Sequence, residues 1–158
     1  MKKFVLFVIG LFSLITLIGC DNEDNVTKVR QNGLEISEDT EITQELAWEI
    51  VKKRVLNNQL EEIDVYVSEN PVQPNTTIET YSTPEQSPNY TSWLFFIDYI
   101  PYGNWSHPCK YVYVNVVGGK FETHEHSMPP IMYQLNYIPL VQMPPEQWDE
   151  SKYDIPSY

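Results

Sequence analysis

The chain predicts an α+β fold, with one N-terminal helix packed on a mainly antiparallel sheet of about four strands and an extended Pro-rich C-terminal tail. Three observations carry this. Apolar residues recur at a helical period from about Thr40 to Asn57, Glu62 to Ser68 alternates apolar with polar, and Trp93 to His126 reads as strand, aromatic loop, strand, turn, strand.

In the helix, Leu46, Ile50, Val51 and Val55 fall on one face, flanked by Ile42, Ala47 and Trp48. Thr43 is a suitable N-cap, and Lys52-Lys53-Arg54 lie where the helix dipole favours cations. The same triplet could serve as a docking patch, and Asn57-Asn58 supplies the stop.

The first strand follows, with Ile63, Val65 and Val67 facing one way and Asp64, Tyr66 and Ser68 the other, as in a half-buried antiparallel strand. From Asn70 to Asn89 four prolines among Thr, Ser and Asn make a long loop in which Thr77 to Tyr81 can form a short strand. Trp93 to Ile97 is continuously apolar, the mark of a central strand covered on both faces. Pro101 to Pro108 leaves the sheet with Tyr102 and Trp105 in the loop. Lys110 to Val117 returns with Val112, Val114 and Val116 on one side and Tyr111, Tyr113 and Asn115 on the other.

Gly118-Gly119 suits a two-residue hairpin turn into Lys120–His126. That register sets Tyr113 opposite His124 and Tyr111 opposite His126, with Cys109 diagonal to His126. These groups are then expected to share one outward patch. His124 and His126, completed by Cys109 or His107, offer donors that Zn or Cu can use, although no C-x-x-C or H-x-x-x-H spacing is present. Alternatively the histidines are solvated beside a packed thiol. A Cys109 nucleophile with His126 as base lacks an orienting third residue, and Pro108 withholds a backbone donor. The rings of Tyr99, Tyr102, Trp105, Tyr111 and Tyr113 could bind a glycan or peptide, or could pack beneath the tail. The preferred expectation is a non-enzymatic protein without a cofactor.

The tail, 128–158, repeats Met-Pro-Pro at 128 and 143, and its prolines forbid a regular helix. Ile131-Met132-Tyr133 and Tyr137 to Val141 are expected to lie extended against the domain or a partner, so the domain itself is assigned to 38–127.

At the other end, Met1-Lys2-Lys3 precedes an apolar run that closes on Leu17-Ile18-Gly19-Cys20, a secretory signal too short to span a membrane stably. The last four residues resemble the lipobox of bacterial lipoproteins. The resemblance implies cleavage after residue 19 and lipidation of Cys20, which gives lasting membrane attachment because several acyl chains share one residue. It also implies a place in the cell envelope; an outer-membrane lipoprotein of a Gram-negative bacterium is the expectation, with leaflet and facing left open. Loss of 1–19 leaves 139 of the 158 residues and, by removing Lys2 and Lys3, takes the formal charge from −12 to −14. A chain this acidic does not bind nucleic acid through its net field. Residues 20–37 are polar, with Asp21, Glu23 and Asp24 behind the lipobox, and read as a flexible tether.

Taken together, Trp93-Leu94-Phe95-Phe96-Ile97-Asp98, His107-Pro108-Cys109-Lys110-Tyr111-Val112-Tyr113-Val114, Gly118-Gly119 and Met128-Pro129-Pro130 resemble modules of the PepSY or protease-propeptide kind in secreted bacterial proteins. Such modules restrain or chaperone peptidases and carry no catalytic residues, so the resemblance implies binding to a secreted peptidase. Helix followed by antiparallel strands also resembles the cystatin layout, but a Gln-Val-Val-Ala-Gly-like loop is missing.

Overall fold

The computed structural model describes residues 29–31, 34–103 and 106–152. Strands β1 (Val29–Gln31) and β2 (Leu34–Ile36) form a small antiparallel ladder. They fall inside the stretch expected to be a tether, and Ile36 is buried in the core. Burial of the Ile36 side chain holds the end of β2 against the core without any periodic signal in the sequence.

Helix α1 (Gln44–Ile50) starts where expected, the Thr43 hydroxyl accepting from Leu46 N–H at 3.3 Å. It continues as a π-helix over Val51–Val55 that carries Lys52, Lys53 and Arg54 in its last turn. Lys52 and Lys53 both pair with Glu49, so part of the basic triplet is spent on the helix's own surface. Asn57 and Asn58 both take positive φ and end the helix.

The main sheet adds β3 (Asp64–Val67), β6 (Ser92–Asp98), β7 (Cys109–Asn115), β8 (Phe121–His126) and β9 (Ile138–Val141), in the order β8-β7-β6-β3-β9 and antiparallel throughout. Two short strands in the intervening loop, β4 (Thr77–Ile78) and β5 (Glu85–Gln86), pair separately. The protein is therefore α+β with a five-stranded sheet. The fifth strand comes from the tail, so 138–141 belongs to the domain's own sheet. Pro139 is accommodated because β9 lies at an edge.

Both faces of the sheet are covered. On one, Ala47, Ile50 and Val51 of the helix pack with Val65, Val67, Phe95, Ile97, Val112 and Val114, and Trp48 stacks on Phe95. On the other, Val72 and Ile78 from the long loop close over Leu94, Phe96, Cys109, Tyr111 and Tyr113. Met132, Leu135 and Tyr137 from the tail pack against the same cluster. The first strand alternates as expected, with Val65 and Val67 buried and Asp64 and Tyr66 partly buried, and Tyr66 packs against this second cluster. Residues 132–136 run as a turn and not as extended chain.

The hairpin differs from expectation in register. Asn115 N–H donates to the Lys120 carbonyl at 2.8 Å, so the loop is the four residues 116–119, and Tyr111 pairs with His124 and Cys109 with His126. The cause is the N-terminal segment, which claims the end of the β7 extension: Ile42 N–H bonds Val116 O at 2.8 Å and Gly118 N–H bonds Thr40 O at 2.8 Å. The displacement is by two residues and therefore leaves every side chain on its expected face. Gly119 has φ +63°, and a Cβ there would lie 2.8 Å from Ile50 Cδ1. Gly119→Ala should lower unfolding free energy by ~1–3 kcal/mol, combining left-handed strain with overpacking, as read by denaturant titration; an unchanged midpoint would contradict this packing.

Candidate functional site

The side chains with chemical potential gather on the second face of β7 and β8, where alternation sets Cys109, Tyr111 and Tyr113 beside His124 and His126. That face was expected to be outward. It is instead an interior layer, in which Cys109 is 1 % exposed and Tyr111 and Tyr113 are 0 % exposed. The reason is the cover supplied by the loop and the tail.

Each group has an internal partner. The Met128 carbonyl accepts from Tyr111 O–H at 3.0 Å and from Cys109 S–H at 3.3 Å. Those two bonds occupy its two lone pairs, so His126 Nδ1, 3.0 Å from Met128 N, is assigned as the acceptor of that N–H with its proton on Nε2. His126 meets the Tyr111 ring edge-on at 5.4 Å, and His124 lies 5.3 Å from the Tyr113 ring. The tyrosine–histidine pairs named from the sequence thus meet across the diagonal and not directly opposite. His124 Nδ1 sits 2.6 Å from Glu85 Oε1 and its Nε2 3.8 Å from Glu122 Oε2. Glu85 also accepts from Tyr113 O–H at 3.5 Å.

His107 stands apart, its Nε2 3.0 Å from Asp98 Oδ1, with both side chains buried. Asp98 Oδ1 also accepts Ile100 N–H at 2.8 Å, which fixes the carboxylate at the strand end. Asp98 and Glu85 were not singled out from the sequence. Asp98 had a readable signal as the one charge closing an apolar strand, whereas Glu85 in a polar loop had none.

Burial pushes the Cys109 thiol up to about 12, with the Asp98 and Glu125 charges adding to it. Buried and raised in this way, the thiol is held in its protonated form. Burial likewise raises Tyr111 and Tyr113, and the Glu85 charge adds to both. Among the described residues no three of His, Cys, Asp or Glu come together as a metal site: Cys109 and His126 both turn to Met128, whereas His124 turns to Glu85 and His107 to Asp98. The proposed Zn or Cu set is therefore not assembled.

Of the remaining aromatic candidates, Tyr102 is exposed, donates to Met143 O at 2.9 Å and lies 5.6 Å from the Trp148 ring. Trp105 and Cys20 lie outside the described residues. A surface cavity of about 420 Å³ is lined by Ile36, Glu38, Arg54 and residues 118–121, and none of the candidate reactive side chains borders it. No described helix is long and apolar enough to cross a membrane. No family model, curated protein or solved structure matches the chain.

Two outcomes follow from the buried thiol and phenols. Iodoacetamide should label Cys109 slowly at pH 8 in native protein and rapidly in urea; rapid native labelling would contradict its burial. Stability should also fall as pH rises from about 9 to about 12. In that window the unfolded state loses the thiol proton, and that of Tyr66, which burial also raises to about 12, while the folded state keeps both. A denaturation midpoint flat across that range would contradict it.

Proposed function

We propose that the protein is a non-enzymatic binding module held at the cell envelope, and that its partner is an extended polypeptide. The observation that carries this reading is the internal use of every described candidate for chemistry: Cys109 and Tyr111 bond Met128, His124 and Tyr113 meet Glu85, and His107 meets Asp98. What the folded chain offers a partner is shape and backbone. A secreted peptidase is the kind of client implied by the resemblance to PepSY and propeptide modules. A single helix lying across one face of an antiparallel sheet supports a cystatin-like or PepSY-like layout. The tail strand β9 and the second covering layer depart from it.

The envelope address rests on Leu17-Ile18-Gly19-Cys20. A second reading, glycan binding, is favoured by the exposed Tyr102 beside Trp148, two rings of the kind that stack on sugars.

An array of immobilised peptides probed with the purified protein should retain it on a subset of extended sequences, and a glycan array should stay blank. Retention on glycans alone would transfer the function to the Tyr102–Trp148 surface. Cleavage of the peptides, abolished by Cys109→Ser, would overturn the non-enzymatic reading. For the anchor, Cys20→Ala should abolish incorporation of labelled palmitate and release the protein from the membrane fraction; labelling that persists would sink the lipoprotein assignment.

A further inference from the structure

The order β8-β7-β6-β3-β9 leaves the main sheet with two edges. At β9 the backbone is blunted by Pro139, which has no N–H to offer. At β8 it is not. The bond from Asn115 N–H to Lys120 O fixes which residues of β8 turn inward, since bonded and non-bonded positions alternate along an antiparallel pair. Glu122, His124 and His126 exchange hydrogen bonds with β7. Phe121, Thr123 and Glu125 direct their N–H and C=O groups away from the sheet. Among the described residues no backbone hydrogen bond reaches those outward groups, and Thr123 and Glu125 are exposed.

Charge decides what fits this edge. Glu122 is 51 % exposed and Glu125 71 %, on opposite faces of the strand, and Glu85 stands behind His124 on the second face. The cations nearby are Lys110, which already pairs with Glu125 at 2.9 Å, Lys120, which lies 3.6 Å from Glu38 at the start of the strand, and Arg54, which borders the same cavity as Phe121. A second copy of the chain would bring another net charge of −12 to the contact.

We infer that the outer edge of β8 takes an extended peptide segment as a sixth strand, and that the segment carries Lys or Arg at the positions facing Glu122 and Glu125. This rests on the polypeptide-binding reading above and names its surface. Backbone pairing with Phe121, Thr123 and Glu125 supplies affinity, and the two carboxylates select basic over acidic sequences.

The test uses synthetic peptides of about ten residues, mostly Val and Thr, with two Lys residues three positions apart so that one falls on each face of the added strand, and isothermal titration with the purified protein. The Lys peptide should bind and the matched Glu peptide should not. N-methylation of alternate residues of the Lys peptide, which removes its strand-pairing donors and leaves the protein untouched, should weaken binding at least ~tenfold. Thr123→Pro should do the same with an unchanged melting temperature, because that N–H points outward and takes no part in the β7 ladder. Glu122→Gln with Glu125→Gln should weaken binding and flatten its salt dependence.

Equal binding of Lys and Glu peptides, indifference to N-methylation, or dimerisation of the protein through β8 in sedimentation would each overturn the inference. If the Lys peptide fails while other peptides on the array retain the protein, the edge assignment falls and the binding function stands. If no peptide is retained at all, both fall.

Discussion

The fold depends on a sheet that is apolar on both faces. β6 is continuously apolar from Trp93 to Ile97, and β7 alternates valines with full-size tyrosine rings, so neither face can be left to water. Among the described residues one short helix packs on the sheet, and it covers one face only. Burying a large aromatic side chain contributes on the order of 2 kcal/mol, and Phe96, Tyr111 and Tyr113 all project to the side the helix does not reach. The long loop and the tail are ordered for that reason. Val72, Ile78, Met132, Leu135 and Tyr137 are the lid of a second core, and the prolines around them hold an irregular path that no regular element could follow.

A lid built from loops brings polar backbone into a dry layer, and the side chains beneath it answer that demand. Tyrosine suits the position because its ring fills the core while its hydroxyl reaches the Met128 carbonyl or Glu85. Gln134 does comparable work at the surface, its amide bonding Thr77 O at 2.9 Å and Glu79 N–H at 2.8 Å, so that it stitches the tail to β4 as a strand would. Residues that look reactive as a string of letters are therefore the ones that satisfy the lid.

Much of the first core was legible. Thr43, the spacing of Leu46, Ile50 and Val51, the Asn57-Asn58 stop and the alternation around Val65 each express local physics that a sequence displays directly. The second core was not, because its contributors are single apolar residues scattered over loops without a period, and only the tertiary fold brings them together. The hairpin shows both limits at once. Gly118-Gly119 did mark the reversal, but the turn length was set by Thr40 and Ile42, which lie far away in sequence. Because side chains alternate with a period of two, a two-residue slip kept the tyrosines and histidines on one face. The error that mattered was about which side faces water.

The two ends of the sheet are handled unequally, and the inequality has a physical origin in the lid. β9 is drawn from the Pro-rich tail, so its edge inherits a residue that cannot donate. β8 has to supply His124 and His126 to the second layer at alternate positions. It must therefore stay a regular strand, and a regular strand necessarily presents the other half of its backbone groups outward. Glu122 and Glu125 on that strand deter pairing with another acidic surface, including a second copy. The same carboxylates attract a basic strand, so charge that guards the edge against self-association also defines the partner it admits.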